Sequence, residues 1–102
     1  MTIVITRNVP DRFRGFLASC MLEIAPAVYV SPTMSRGVRD RVWGVLNDWF
    51  DQATNGDASI VITWRDKTKP GSQAFDFLGV PPKELVEHDG MYLVHRASDV
   101  PF

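Results

Sequence analysis

The sequence predicts an α+β fold, a ferredoxin-like βαββαβ-type sandwich with an extra C-terminal strand and its helices on one sheet face. Three observations carry that prediction. Apolar residues recur at three- and four-residue spacing in two stretches, one from Arg12 and one after Ser35. Short β-branched runs lie before, between and after those stretches. The resulting order, strand-helix-strand and then helix-strand-strand, suits two helices packed on a single sheet.

The first strand is Ile3-Val4-Ile5, β-branched throughout, and Asn8-Val9-Pro10-Asp11 breaks it. From Arg12 the positions Phe13, Phe16, Leu17, Cys20, Met21 and Ile24 form one helical stripe, which Ala25-Pro26 ends. Ala27 to Val30 is a second strand, and Ser31-Pro32-Thr33 a turn. Ser35 caps a second helix with Val38, Val42, Val45, Leu46 and Trp49 on one face, while Trp43 and Phe50 lie off it. Asn55-Gly56-Asp57 is a turn. Residues 59–64 and 73–78 form a hairpin around a polar loop containing Lys67, Lys69 and Pro70, with Phe75 and Phe77 on one face. Pro81-Pro82 interrupts the chain before a last strand, Met91 to His95. The 102 residues suit one domain over 1–95, followed by a tail, 96–102, available to a partner.

No apolar run approaches the ~20 residues of a spanning helix, and the first residues lack the pattern of a signal peptide. One cysteine, Cys20, excludes an intrachain disulfide and suits the cytosol, and its place in the apolar stripe predicts a buried thiol. A chain of this size buries a modest core, so a partner subunit is expected. The net charge of −1 is unevenly spread: residues 1–41 carry six Arg and three acids, residues 42–102 five basic and nine acidic residues. That asymmetry suggests a basic face for phosphates.

Catalytic motifs are absent. The two histidines, His88 and His95, have no zinc-site spacing, and the glycines form no phosphate-binding fingerprint. Magnesium needs one or two carboxylates. Asp11 is the acid beside the basic junction, and its plainer role is that of a helix N-terminal residue favoured by the dipole. Arg7, Arg12 and Arg14 flank the first helix start, and Arg36 and Arg39 share a neighbouring face of the second. Helix N-termini attract phosphate and guanidinium forks add bidentate contacts. Without a base-stacking aromatic motif, the pattern favours reading phosphates over reading bases.

Thr6-Arg7-Asn8-Val9-Pro10, Arg12-Phe13-Arg14-Gly15 and Met21-Leu22-Glu23-Ile24 together resemble the opening of the type I-E subgroup of the CRISPR adaptation subunit Cas-two, a family also described as CRISPR-associated endoribonucleases. Val28-Tyr29-Val30, Arg39 with Trp43, Phe75-Asp76-Phe77 and Asp89-Gly90 extend the likeness over about residues 2 to 95. The resemblance implies a cytoplasmic homodimer formed by sheet packing. It implies a bridge between integrase dimers that captures double-stranded DNA spacer precursors, with no membrane role. It carries DNA-contacting roles onto Arg12 and Arg14, and more weakly onto Arg36 and Arg39. Relatives with an Arg pair before the last strand are matched here by Lys83 alone. The family's magnesium-dependent nucleases use an acid at the end of the first strand, where this chain has Arg7. A non-catalytic DNA-binding bridge is therefore expected. The alternative is a magnesium-dependent endonuclease with Asp11 as metal ligand. A ligand-binding regulatory domain is a third possibility for such a fold.

Overall fold

The central strand sorts its own side chains. In β1 (Thr2–Arg7), Thr2, Val4 and Thr6 are buried while Ile5 and Arg7 are exposed, the period-two alternation of a strand covered on one face. The computed structural model describes residues 1–53, 57–79, 84–88 and 91–95, the last two ranges as strand backbone. After β1 come α1 (Asp11–Cys20), β2 (Leu22–Ala25), β3 (Val28–Ser31), α2 (Arg36–Ala53) and β4 (Ser59–Arg65). A 3₁₀ turn (Pro70–Ser72) then leads to β5 (Gln73–Gly79), β6 (Glu84–His88) and β7 (Met91–His95). The main sheet is antiparallel throughout, in the order β2-β3-β1-β4-β5, and β6 and β7 pair as a separate hairpin. This is the expected ferredoxin-like arrangement, with two strands, β2 and β6, beyond those expected from the sequence.

Both helices pack on the Val4 face of the sheet. Phe13 and Leu17 of α1, Val42 and Leu46 of α2, and Tyr29, Ile60 and Ile62 of the sheet form one buried cluster with Val4 and Met21. Trp49 ties the helices together, its ring 5.5 Å from Phe13 and 5.3 Å from Phe16, both edge-on. Trp43 and Phe50, off the α2 stripe, pack at the margin of the same core. Ser35 caps α2 as expected, its Oγ accepting the Val38 N–H at 3.2 Å.

Three expectations need correction. The first helix does not run to Ile24. It ends at Cys20, Met21 turns to extended backbone, and Leu22–Ala25 becomes an edge strand paired with β3. Apolar spacing alone does not separate a helix end from a strand that follows it directly. Here the Pro26-Ala27 turn, with Ala27 at φ 66°, folds β2 back onto β3. The early helix end leaves Cys20 exposed rather than buried. Val38, assigned to the core stripe, is 41% exposed because the stripe begins to bury side chains only at Val42. Asn55 and Gly56 of the expected turn, the Pro81-Pro82 break, Lys83, Asp89-Gly90 and the 96–102 tail lie outside the described residues.

Register fixes which ends of the helices lie together. Ser31, from which the chain enters α2, sits opposite Thr2, while α1 leaves the far end of β1 after Arg7. The two helix N-termini therefore stand at opposite ends of the sheet, about 17 Å apart along a five-residue rise of ~3.4 Å each. Trp64, near the end of β4, also lies opposite Thr2, so the loop after β4 emerges at the α2 end.

Gly79 closes β5 with φ 96°, and a Cβ there would collide with the Ala58 carbonyl oxygen and the Ser59 backbone. Gly79→Ala is expected to destabilise the fold by about 1–3 kcal/mol, combining an unfavourable backbone conformation with overpacking. A reduced urea midpoint at unchanged m-value checks it, and an unchanged midpoint contradicts it.

Candidate functional site

The basic residues singled out in the sequence fall into two groups at the two ends of the sheet. At the first end, the chain leaves β1 at Arg7, turns through Asn8 at φ 55°, and enters α1 after Pro10. Arg7 follows the Ile3 and Ile5 alternation, so it belongs to the face away from the helices. Asp11 occupies the first turn of α1, as the dipole favours.

Arg12 and Arg14 diverge across α1, since two residues turn a helix by roughly 200°. Arg12 lies toward α2, its guanidinium carbon 4.6 Å from the Trp49 ring centroid. Arg14 lies toward the β2-β3 hairpin, 3.7 Å from a Glu23 carboxylate oxygen, and its side chain remains 51% exposed. Both are thus restrained while open to solvent. A guanidinium on an aromatic face still presents its N–H edge.

Behind Arg14 is a buried polar group. The Tyr29 hydroxyl is enclosed and makes no hydrogen bond of normal geometry, although Arg14 and Glu23 flank it. Burial pushes its phenol up. The Tyr29 hydroxyl and then the Glu23 carboxylate hold the Arg14 guanidinium above its usual value. Glu23 is held below the usual carboxylate range, chiefly because it accepts the Ala27 N–H at 3.1 Å, with Tyr29 and Arg14 adding to the effect. Beside this group Thr6, Asn8, Val9, Arg14, Pro26 and Ala27 line a shallow hollow of about 280 Å³.

At the second end, Arg36 and Arg39 of α2 line an open cleft of about 690 Å³ with Trp64 and the loop Arg65 to Lys69. Arg39 lies against the Trp64 ring, 4.3 Å from its centroid. Arg36 pairs loosely with Asp40 at 4.0 Å, both well exposed, a contact of little energetic weight. Arg41, roughly 200° round the helix from Arg39, does not line the cleft. Sequence reading passed over Arg65, Lys67 and Lys69 because they lie in the acidic half of the chain. The signal available was the Arg65-Asp66-Lys67-Thr68-Lys69 alternation in a loop that a hairpin must return to the sheet end.

Among the described residues, no three of His, Cys, Asp and Glu come together to hold a metal. In the sequence of α1, Asp11 is followed by Arg12 and Arg14. Among the described residues no helix is long and apolar enough to cross a membrane.

Fold and site together define a class: a ferredoxin-like α+β domain with arginine-bearing helix starts at its two sheet ends. Residues 1–93 match the family model described as CRISPR-associated protein (Cas_Cas2CT1978), and the chain belongs to that family. The resemblance drawn from Thr6 to Gly15 thus stands at the level of the family, with a CRISPR-related role.

Glu23 supplies a pH-dependent contribution to stability. Its folded-state proton affinity is depressed, so the contribution is present above its unfolded value of about 4.5 and is lost as pH falls through the lower folded value. Glu23→Gln is expected to lower the melting temperature at neutral pH and to converge with the parent protein as acid protonates the folded-state carboxylate. A gap that stays constant from neutral to acid pH contradicts that role.

Proposed function

We propose that this chain is the DNA-binding bridge subunit of a CRISPR spacer-acquisition complex of the type I-E kind, acting as a homodimer without nuclease chemistry of its own. The observation that carries this reading is Arg7, a cation at the strand end where the family's nucleases place a carboxylate. Arg12 and Arg14 extend the cationic edge along the start of α1. Unsatisfied N–H groups there add a partial positive charge. Such an edge engages duplex backbone independently of sequence, which suits a subunit that must accept spacers of any sequence.

The sheet face away from the helices supports the dimer. Register aligns Val28, Ile5, Val61 and Phe77 in one row across four strands, with Val30 and Ile3 in the next. Ile5 is 44% and Phe77 37% exposed. A second copy presents the same apolar row, so the face is complementary to itself. In this reading the dimer joins integrase subunits and a DNA spacer precursor. Asp11 acts as a helix-start acid, and magnesium is not needed for the bridging role.

Arg12→Ala combined with Arg14→Ala is expected to weaken duplex binding and to reduce the slope of log K against log salt by about 1.8, or ~0.9 per lost phosphate contact. Unchanged affinity and slope overturn the reading. Magnesium-dependent cleavage of RNA or DNA that disappears in Asp11→Asn establishes the nuclease alternative instead.

Ile5→Glu with Phe77→Glu is expected to convert a dimer to a monomer in sedimentation velocity, with the far-ultraviolet circular dichroism retained. A parent protein that is monomeric at all concentrations, or a variant that stays dimeric, contradicts sheet-face pairing.

A further inference from the structure

We propose that the loop following β4 is the second wall of a phosphate-binding cleft, built with Arg36 and Arg39, that takes nucleic-acid backbone at the end of the sheet opposite Arg12 and Arg14. The proposal rests on the DNA-binding reading above; the resemblance already implied roles for Arg36 and Arg39, and the new element is the loop with Arg65, Lys67 and Lys69.

Convergence is the first argument. Arg36 and Arg39 come from α2, and Arg65, Lys67 and Lys69 come from the β4 loop, yet all five line one cleft. Two carboxylates share it, Asp40 and Asp66, leaving a net charge of +3. Gathering like charges raises the local potential, and a bound polyanion relieves that repulsion.

One of the two acids is already engaged. Asp66 Oδ1 accepts the Thr68 N–H at 2.9 Å and the Thr68 hydroxyl at 2.7 Å. Asp40 faces Arg36 at the limit of an ion pair. Lys67 and Lys69 are exposed, and neither side chain has an ion pair within 4 Å among the described residues.

Pre-organisation is the third argument. The loop is closed by backbone bonds from Lys69 N–H to Asp66 O at 3.1 Å, from Ser72 N–H to Lys69 O at 2.9 Å and from Asp66 N–H to Ser72 O at 3.0 Å. Arg39 is held by Trp64. Binding therefore orders few groups, which keeps its entropic cost down. The cleft is open rather than enclosed, a shape that admits a polymer backbone.

The test is a duplex-DNA titration followed by anisotropy over a range of salt, using the full chain. Lys67→Gln with Lys69→Gln is expected to weaken binding at least about ten-fold at ~100 mM salt and to lower the salt slope by about 1.8. Lys67→Arg with Lys69→Arg is expected to restore both. The Trp64 indole N–H resonance, assigned with Trp64→Phe, is expected to move during the titration. If the parent protein binds duplex and the Arg12, Arg14 variant is weakened, but the glutamine variant matches the parent in affinity and slope, the cleft is overturned and the bridge reading stands. If the glutamine variant alone is weakened, the cleft stands and the α1 contacts fall. Absence of duplex binding by the parent overturns both. In that case a Trp64 shift with inorganic tripolyphosphate would assign the cleft to free polyphosphate and not to nucleic acid.

Discussion

The structure depends on β1 being paired antiparallel on both sides. With β3 on one flank and β4 on the other, the strand satisfies its backbone groups fully and its alternation fixes both faces of the sheet. Thr2, Val4 and Thr6 point into the helix layer, and Ile5 and Arg7 away from it. The same pairing decides where each connection leaves. The entry to α1 lies at the Arg7 end, and the entry to α2 lies opposite Thr2. Two cationic helix starts are therefore held apart by the length of a strand, and a one-residue slip would expose Val4 and bury Arg7.

Aromatic rings restrain the cations at both ends. Arg12 rests on Trp49 and Arg39 on Trp64, arrangements worth about 0.5–1 kcal/mol each at exposed sites. Their larger effect is on entropy, because a guanidinium already restrained loses less freedom when it meets an anion. Arg14 is restrained differently, between the Glu23 carboxylate and the enclosed Tyr29 hydroxyl. In each case the indole or phenol is occupied by the arginine or the core.

Much of this was legible in the sequence, for identifiable reasons. The α2 stripe and its Ser35 cap were visible because a long helix repeats its pattern several times. The β4-β5 hairpin was visible through its alternation, which places Phe75 and Phe77 on one face. The α1 boundary was not, because Met21 and Ile24 continue helical spacing while backbone pairing with β3 takes Leu22 to Ala25 into the sheet. Tertiary hydrogen bonding overrode a local pattern there, and Cys20 changed from core to surface as a consequence. The cleft at the α2 end was hidden for another reason. Dividing the chain's charge by position along the sequence assigned Lys67 and Lys69 to an acidic half, whereas the fold brings them beside Arg36 and Arg39. The family likeness was legible at the Thr6 to Gly15 junction because strand end, turn and helix start lie consecutively there.

The two kinds of surface do not compete. The helices cover one sheet face, the apolar row through Ile5, Val61 and Phe77 lies on the other, and the α1 and α2 cations stand at the ends of the strands. A homodimer formed through the apolar row would leave both cationic helix starts of each copy accessible. Arg7 is the exception, since its place in the alternation puts it on the same face as Ile5, one step beyond the apolar row. In such a dimer it would sit at the rim of the interface, partly shielded from water, where an unpaired cation is costly and a phosphate oxygen is a favourable partner. A carboxylate at that position would repel the same phosphate unless a metal ion lay between them. In that proposed dimer, an arginine in place of an acid at the end of β1 would match a phosphate oxygen at the rim where a carboxylate would match a metal cation.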